Sequence, residues 1–227
     1  MGSHIEENIS VIRTALPEGV RLVAVSKLKS AEDIMEAYRC GQRDFGENYA
    51  TELRDKHAVL PDDIRWHFIG HLQSKQLKYY IHFVSMIHGV DSLEHLQAVD
   101  EAARKAGRTV DVLLQFHIAR EETKFGFALD EVGEITRLAT ENVRVCGVMG
   151  MATNGAEEEQ TRAEFATLRG IFGQLKDGPY AGCDCFREIS MGMSHDYRLA
   201  IEEGSTMVRI GSSIFGPRDY SKLKNKQ

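Results

Sequence analysis

The sequence predicts an α/β fold in which eight parallel strands and their crossover helices close into a single (β/α)8 TIM barrel with an extra N-terminal helix. Eight short apolar runs alternate with longer amphipathic segments, which is typical of a parallel sheet. A length of 227 residues suits one barrel, and closure leaves no sheet edge exposed. An open doubly wound sheet is the alternative, but no glycine-rich phosphate-binding motif follows the first apolar run.

The helices and strands follow from local periodicity. Ile5–Ala15 forms the extra helix, and Leu93–Ala106 is the clearest crossover helix, with Asp91 and Ser92 at its start and Gly107 as its C-cap. The predicted strands are Arg21–Ser26, Arg43–Gly46, Arg65–Gly70, Phe83–Gly89, Val110–Ile118, Val143–Met151, Phe186–Met191 and Thr206–Phe215.

Composition and charge exclude several classes of protein. We expect one domain over residues 5–227, with no linker or repeat, and we interpret Met1-Gly2-Ser3-His4 as an expression-tag remnant. The formal net charge of −6 argues against a nucleic-acid-binding surface. No apolar run approaches the roughly 18 residues of a membrane span, and no signal peptide is evident. We therefore predict a cytoplasmic protein with neither nucleic acid nor membrane as a partner.

Cysteine and histidine spacing gives little support for a metal site. The four cysteines are Cys40, Cys146, Cys183 and Cys185, and they contain no C-x-x-C pair. Cys183 and Cys185 lie in a Gly-rich connector; we favour two ordinary reduced thiols there over a metal or redox site. His67 and His71 bracket a predicted strand instead of sharing a helix face, so we predict no zinc site.

Functional residues of a barrel lie at the carboxyl ends of its strands. Lys27 directly follows the first strand. Partial desolvation there lowers the pKa of a lysine, so its neutral amine becomes available to form a Schiff base with an aldehyde. The alternative is a strand-end lysine that simply reaches solvent.

Two Gly/Ser segments, Ser190–Ser194 and Arg209–Ser213, follow or end strands seven and eight, where this fold usually binds phosphate. Gly192 and Gly211 allow a ligand close to the backbone, and hydroxyl and N–H groups donate to anionic oxygens. Two ordinary turns are the alternative. If Arg209 faces inward it needs a partner, which is either a ring nitrogen or carboxylate of a ligand or a neighbouring acid.

Six segments, taken in order from about residue 20 to the C-terminus, form a set far more specific than any one of them. They are Val25-Ser-Lys27, Phe45-Gly-Glu-Asn48, Trp66-His-Phe-Ile-Gly70, Ser190-Met-Gly-Met-Ser194, Gly204-Ser-Thr-Met-Val-Arg-Ile-Gly211 and Ile214-Phe-Gly216. This set resembles the pyridoxal phosphate homeostasis family (the YggS/PROSC family). The resemblance implies a barrel similar to that of bacterial alanine racemase, PLP fold type III, with pyridoxal 5′-phosphate (PLP) as the cofactor.

The resemblance also implies roles for residues at the first, second and last strands. Lys27 would form the internal aldimine with PLP, and Asn48 would line the cofactor pocket. Arg209 would face the pyridine nitrogen.

The implied phosphate ligands are Ser194, Gly211 and Ser212. The chain departs from the family pattern after the third strand, where His71 and Gln73-Ser-Lys75-Gln76 stand in place of a proline and a Q-[ST]-N-K segment. That departure puts in doubt any role of this loop that depends on the missing asparagine, and it leaves the implied cofactor residues unchanged.

The implied function is cofactor homeostasis, in which the protein binds, buffers or delivers PLP without substantial catalysis. An arginine cannot accept the proton of the ring nitrogen, so it weakens the electron sink on which PLP catalysis depends. Racemases with this arrangement need a second acid or base, which alanine racemase takes from a partner subunit near an added domain that we do not expect here.

Two other functions also fit the sequence. The alternatives are a PLP-dependent racemase or decarboxylase that uses a neighbouring His or Tyr, and a cofactor-free barrel enzyme acting on a phosphorylated metabolite. The expected partners are PLP and apo forms of PLP-dependent enzymes. The resemblance suggests a monomer or weak dimer.

Overall fold

The structure, a computed structural model, describes residues 4–121, 125–128, 131 and 140–217. Met1–Ser3 of the predicted tag remnant and residues 218–227 of the predicted domain lie outside this part of the chain, whereas His4 begins the first helix. No helix in the described ranges has the length and apolar content that a membrane span requires.

Eight short parallel strands form a closed barrel. They are β1 (Arg21–Val25), β2 (Asp44–Glu47), β3 (Arg65–Phe68), β4 (Met86–Val90), β5 (Val110–Gln115), β6 (Val143–Met149), β7 (Glu188–Ser190) and β8 (Met207–Ile210). Each strand pairs with the next one along the chain, and β8 pairs with β1 over four residue pairs, from Arg21↔Met207 to Ala24↔Ile210. The predicted TIM barrel is therefore confirmed, and each predicted strand overlaps an observed one.

The helices cover the outside of the barrel. They are α1 (His4–Ala15), α2 (Ala31–Arg39), α3 (Ala50–His57), a 3-10 helix (Ser74–Tyr79), α4 (Leu93–Lys105), α5 (Glu158–Asp177), α6 (Tyr197–Glu202) and α7 (Ser212–Phe215). The extra N-terminal helix is confirmed, and it buries Ile5, Ile9 and Ile12. The predicted start of α4 is also confirmed, because the Ser92 hydroxyl accepts a hydrogen bond from the His95 N–H.

The prediction of one long strand over Thr206–Phe215 was wrong in its second half. The strand ends at Ile210, and Ser212–Phe215 forms α7. The carbonyl of Gly211 accepts hydrogen bonds from the N–H groups of Ile214 and Phe215, which starts a helical turn. Ile214 and Phe215 are buried, so the apolar pattern that resembled a strand is the buried face of a short helix.

The barrel strands are buried on both faces, as is usual for parallel sheets. The outer face packs against the helices in a core that includes Phe45, Trp66 and Phe68. A smaller apolar cluster joins side chains from five strands, namely Val23, Met86, Leu113, Cys146, Met149 and Met207. Buried polar side chains also come from these strands, and they extend to the carboxyl ends, where the candidate site lies.

Candidate functional site

A cavity of about 330 Å³ opens at the carboxyl ends of β1, β2 and β8, within the range of roughly 300–1,000 Å³ that small-molecule sites occupy. All six residues predicted to contact a cofactor line it, so the structure brings them together: Lys27, Asn48, Ser194, Arg209, Gly211 and Ser212. An adjoining cleft of about 480 Å³ shares Ser194 with the cavity, but its described lining contains no lysine. The smaller cavity is therefore the candidate site on chemical grounds.

Lys27 lies in the turn that follows β1, and its side chain is half-buried. The N–H of Ser26 donates to the Gly46 carbonyl at 3.0 Å, which continues the β1–β2 pairing up to the lysine. Leu28, on the other side, has a φ of 62°, a left-handed conformation that costs a branched residue about 1 kcal/mol or more. The surrounding contacts must therefore hold this turn in place.

Those contacts come from a buried ion-pair cluster, Glu47, Glu52 and Lys56, which we call the Lys56 clamp. The Lys56 ammonium lies 2.7 Å from Glu47 Oε1 and 2.9 Å from Glu52 Oε1. The side chains are at most 9 % exposed. Burial raises the pKa of Glu47, and the neighbouring Lys56 opposes that rise. Because two acids share one cation in the interior, loss of the cation would leave charge uncompensated.

The Lys56 clamp holds the backbone on both sides of Lys27. On one side, the Lys56 ammonium donates to the Ser26 carbonyl at 2.7 Å, and the Ser26 hydroxyl donates to Glu47 at 2.6 Å. On the other side, the Leu28 N–H donates to Glu52 at 2.8 Å. The lysine therefore projects from a turn whose two neighbouring residues are anchored to buried charges.

Arg209 lies on β8 and is buried, and its guanidinium is bound by neutral oxygens. Nη1 donates to the Ser190 carbonyl at 2.8 Å and to the Ser190 hydroxyl at 2.7 Å, while Nη2 donates to the Gly150 carbonyl at 3.2 Å. Burial lowers its pKa to about 10, and nearby Asp196 opposes this, so the side chain stays charged at neutral pH. No acid among the described residues forms a direct salt bridge with Arg209, which was the other partner considered from the sequence.

Ser190 links Arg209 to a row of polar side chains inside the barrel, which we call the interior network. His88 Nδ1 lies 3.2 Å from Ser190 Oγ, and His88 Nε2 lies 2.9 Å from His67 Nδ1. His67 Nε2 lies 3.0 Å from Asp44 Oδ1, to which the Arg65 Nε also donates, at 2.8 Å.

The two ends of the interior network have fixed hydrogen-bond directions. Arginine only donates, so the Ser190 oxygen accepts from Arg209, and the Asp44 carboxylate only accepts, so His67 donates to it through Nε2. The tautomers of His67 and His88 set the direction of the hydrogen bonds between these ends. Burial lowers the pKa of His88 well below its usual value, and neighbouring charges, among them Arg209, act in the same direction. Burial would raise the pKa of Asp44, but hydrogen bonds from Arg65 and His67 lower it strongly.

The remaining predicted ligands form the opposite part of the cavity wall. The Asn48 Oδ1 is buried and has no hydrogen-bond partner among the described residues, which leaves a polar atom for a ligand. The Ser194 hydroxyl accepts a hydrogen bond from the Gly211 N–H at 3.3 Å. Gly192 also has a structural role, because its φ is 94° and a Cβ there would lie 2.6 Å from the Ala200 Cβ. It allows β7 to turn close to α6.

Sequence reasoning missed the Lys56 clamp and the interior network. Asp44, His67 and His88 lie in strands of a parallel barrel, which are buried on both faces, so a polar side chain at these positions was the available signal for a polar contact inside the fold. His67 had been considered only as a metal ligand with His71. No group of three or more His, Cys, Asp or Glu side chains suited to a metal ion exists within the described residues.

Comparison with known proteins places the chain in a family. A family model described as alanine racemase, N-terminal domain, matches residues 2–219. The pyridoxal phosphate homeostasis protein of Aquifex aeolicus is 36% identical over 203 residues, covering 88% of this chain and 88% of its own. The protein of that name from Vibrio alginolyticus is 36% identical over 236 residues, covering 96% and 100%. The chain belongs to the pyridoxal phosphate homeostasis protein family.

A solved structure in this family has the same barrel. PipY of Synechococcus elongatus, determined with PLP bound, has a TM-score of 0.83 and 34% sequence identity to this chain. The alignment covers 93% of this chain and 100% of the PipY chain. The predicted resemblance to the pyridoxal phosphate homeostasis family and its alanine-racemase-like barrel is thus confirmed.

The Lys56 clamp predicts a large difference between two Glu–Lys pairs of equal spacing. Lys56→Met removes the cation from two buried acids, so we expect it to lower the free energy of unfolding by about 3–5 kcal/mol. Glu101 and Lys105 have the same i,i+4 spacing on α4, but their side chains are 49% and 68% exposed. Lys105→Met should leave the urea midpoint almost unchanged. Equal urea midpoints for the two variants would contradict the stabilising role of Lys56.

The interior network predicts that stability falls in acid. The unfolded chain protonates His88 near its usual pKa of 6.5, but the folded chain does not, so unfolding takes up a proton below that pH. Asp44 adds a further loss below its usual value of 3.8. We expect the free energy of unfolding to decrease from about pH 7.5 to about pH 5, and less steeply in His88→Asn. His82 is exposed, so His82→Asn is the control and should keep the wild-type dependence of the free energy of unfolding on pH. A wild-type pH dependence in His88→Asn would refute the role of His88.

Proposed function

We propose that this protein binds PLP covalently through Lys27 and acts in PLP homeostasis as a carrier or buffer of the cofactor, without substantial catalysis. One observation supports this most strongly: a half-buried lysine, a buried arginine and the Ser194, Gly211 and Ser212 groups share one cavity. The names of the curated relatives and the PLP in PipY support the same function.

The residues present fit the cofactor. PLP, when bound, supplies an aldehyde that condenses reversibly with a primary amine and a ring that withdraws electrons. Lys27 provides the amine, held in place by the Lys56 clamp. The hydroxyls of Ser194 and Ser212 suit a phosphate, and the Gly211 N–H, which donates to the Ser194 hydroxyl, lies beside them. The unpartnered oxygen or the amide N–H groups of Asn48 suit a polar ring substituent.

Arg209 supports a carrier more than a catalyst. Three of the five N–H donors of its guanidinium are used by Ser190 and Gly150, and the residue lines the cavity. A charged guanidinium at the ring nitrogen would donate a hydrogen bond but keep its own proton, so the ring nitrogen would stay unprotonated and the ring would be a poor electron sink. The interior network keeps Arg209 in this orientation, because the Ser190 hydroxyl accepts from Arg209 and is itself hydrogen-bonded to His88.

His195 gives a specific basis for the alternative function, a PLP-dependent amino-acid racemase or decarboxylase. It lines the cavity with Lys27, and its Nε2 lies 3.3 Å from Asp196 Oδ2. Its side chain is 52% exposed, so water competes for any proton that it would exchange with a substrate. We therefore rank this function second and include it in the tests.

The proposed partners are apo forms of PLP-dependent enzymes. Because the cavity opens at the mouth of the barrel, an amine from outside has a path to the lysine-bound cofactor. We place the protein in the cytoplasm, where free cysteines are usual, and its four cysteines are free thiols. We propose a monomer or weak dimer as the working form.

The first test is covalent attachment. After incubation with PLP and reduction with borohydride, mass spectrometry should find one PLP per chain, on the peptide that contains Lys27. Lys27→Ala should lose the adduct, whereas Lys75→Ala, an exposed lysine beyond β3, should keep it. An adduct that persists at equal yield in Lys27→Ala would refute the proposed site.

The second test separates carrier from enzyme. The PLP-loaded protein should show no racemisation or decarboxylation of the common amino acids above the rate with free PLP. If turnover appears and His195→Gln removes it while PLP stays bound, the alternative function is correct and the carrier proposal fails.

The third test addresses delivery. An apo PLP-dependent enzyme should regain activity faster with the PLP-loaded protein than with free PLP at the concentration that the loaded protein releases on its own. Equal rates would limit the function to buffering, because the recipient then takes only dissociated cofactor.

A further inference from the structure

Two sulfur atoms are in contact at the amino-terminal end of the barrel, the end opposite the cofactor cavity. Cys183 and Cys185 lie in the connector between α5 and β7, and their Sγ atoms are 2.8 Å apart. Both are free thiols and half-buried. A disulfide bond is about 2.05 Å long, so the sulfurs need to approach by less than an ångström to be joined.

The connector holds this pair in a defined geometry. The Lys176 ammonium donates to the carbonyls of Cys183 at 3.1 Å and Phe186 at 2.6 Å. The Phe186 N–H donates back to the Cys183 carbonyl at 3.1 Å, and the Tyr180 ring stacks on Phe186 with centroids 4.3 Å apart. Contacts on both sides of the pair therefore stabilise the turn that brings the two sulfur atoms together.

The two thiols differ in acidity. The hydrogen bond from Cys185 lowers the pKa of Cys183, and Lys176 contributes in the same direction. Burial raises the pKa of Cys185, and the bond to Cys183 raises it further. Cys183 is thus the better nucleophile, and Cys185 is the neighbour that can attack it once it has been oxidised.

The other two cysteines lack these features. Burial raises the pKa of Cys146 to about 12, so it remains a thiol at neutral pH. Burial also raises the pKa of Cys40, whose Sγ lies 3.3 Å from the Glu36 carbonyl. Oxidation should therefore be selective for the pair.

We propose that Cys183 and Cys185 form a redox modification site that a small hydroperoxide oxidises to an intrachain disulfide. Cys183 is only half-buried in the connector, which gives a small oxidant access to it, and Cys185 lines a cleft of about 340 Å³ at the amino-terminal ends of the strands together with Cys146 and Arg144. The site is separate from the cofactor cavity, so it does not depend on the proposed function.

The reaction balances in two steps. The Cys183 thiolate attacks the terminal oxygen of the hydroperoxide; an S–O bond forms, the O–O bond breaks, and the alcohol leaves with a proton. The Cys185 sulfur then attacks Cys183; the S–S bond forms, the S–O bond breaks, and the hydroxyl leaves as water with the proton of Cys185. The two thiols lose two electrons and two protons, and the hydroperoxide becomes an alcohol and water.

The test uses hydrogen peroxide on the PLP-loaded, fully reduced protein, followed by alkylation and trypsin. Cleavage after Lys176 and Arg187 releases residues 177–187, which contain both cysteines of the pair and neither Cys40 nor Cys146. We expect this peptide to escape alkylation and to lose about 2 Da through an internal disulfide, at least tenfold faster than Cys40 is oxidised. A dithiol reductant should restore it.

Variants identify the roles of the two sulfurs. Cys185→Ser should trap the sulfenic acid at Cys183, detected with a 1,3-dicarbonyl probe, and Cys183→Ser should abolish rapid oxidation. Cys40→Ser is the matched control and should leave the kinetics of the pair unchanged. The proposal is overturned if residues 177–187 of the wild-type protein stay reduced while Cys40 reacts, or if the pair forms only disulfides between chains.

Discussion

The candidate site depends on one buried ion-pair cluster, in which Lys56 neutralises Glu47 and Glu52 beneath the turn that presents Lys27. Buried charges are costly unless they are paired, and replacement by apolar groups is often no less stable, so stability alone does not account for this cluster. Its geometry does: the clamp binds the Ser26 carbonyl and hydroxyl on one side of Lys27 and the Leu28 N–H on the other. The left-handed Leu28 is tolerated because the clamp holds it.

The interior network gives the last strand a comparable constraint. Arg209 faces the cavity with a fixed orientation because Ser190 accepts from it, and Ser190 is ordered in turn by His88, His67 and Asp44. A barrel interior that is partly polar therefore connects the cofactor end to the opposite end, where Arg65 binds Asp44. Lysine at the first strand and arginine at the last are held by separate buried networks, and they meet only at the cavity.

The barrel was predictable because its pattern is local and repeated: apolar runs alternate with amphipathic ones, and closure follows from strand number. The six residues that we propose to contact the cofactor were predicted from strand-end motifs and from the family resemblance, and the structure places them around one cavity. The Lys56 clamp could not be predicted from the sequence, because Glu52 and Lys56 have the i,i+4 spacing of an ordinary solvent-exposed ion pair on a helix. Only the folded structure shows that this face of the helix is buried. Likewise, the contact between Cys183 and Cys185 depends on the backbone conformation of the connector. A Gly-rich segment allows several such conformations, so its sequence does not specify one.

A crystal structure of the protein grown with PLP would show whether Lys27 holds the cofactor. We expect electron density continuous with the Lys27 side chain, a phosphate group at Ser194, Gly211 and Ser212, and Arg209 at the ring nitrogen, with the Lys56 clamp unchanged. PLP bound elsewhere, or a Lys27 side chain turned away from the cavity while PLP occupies it, would disprove the proposed attachment.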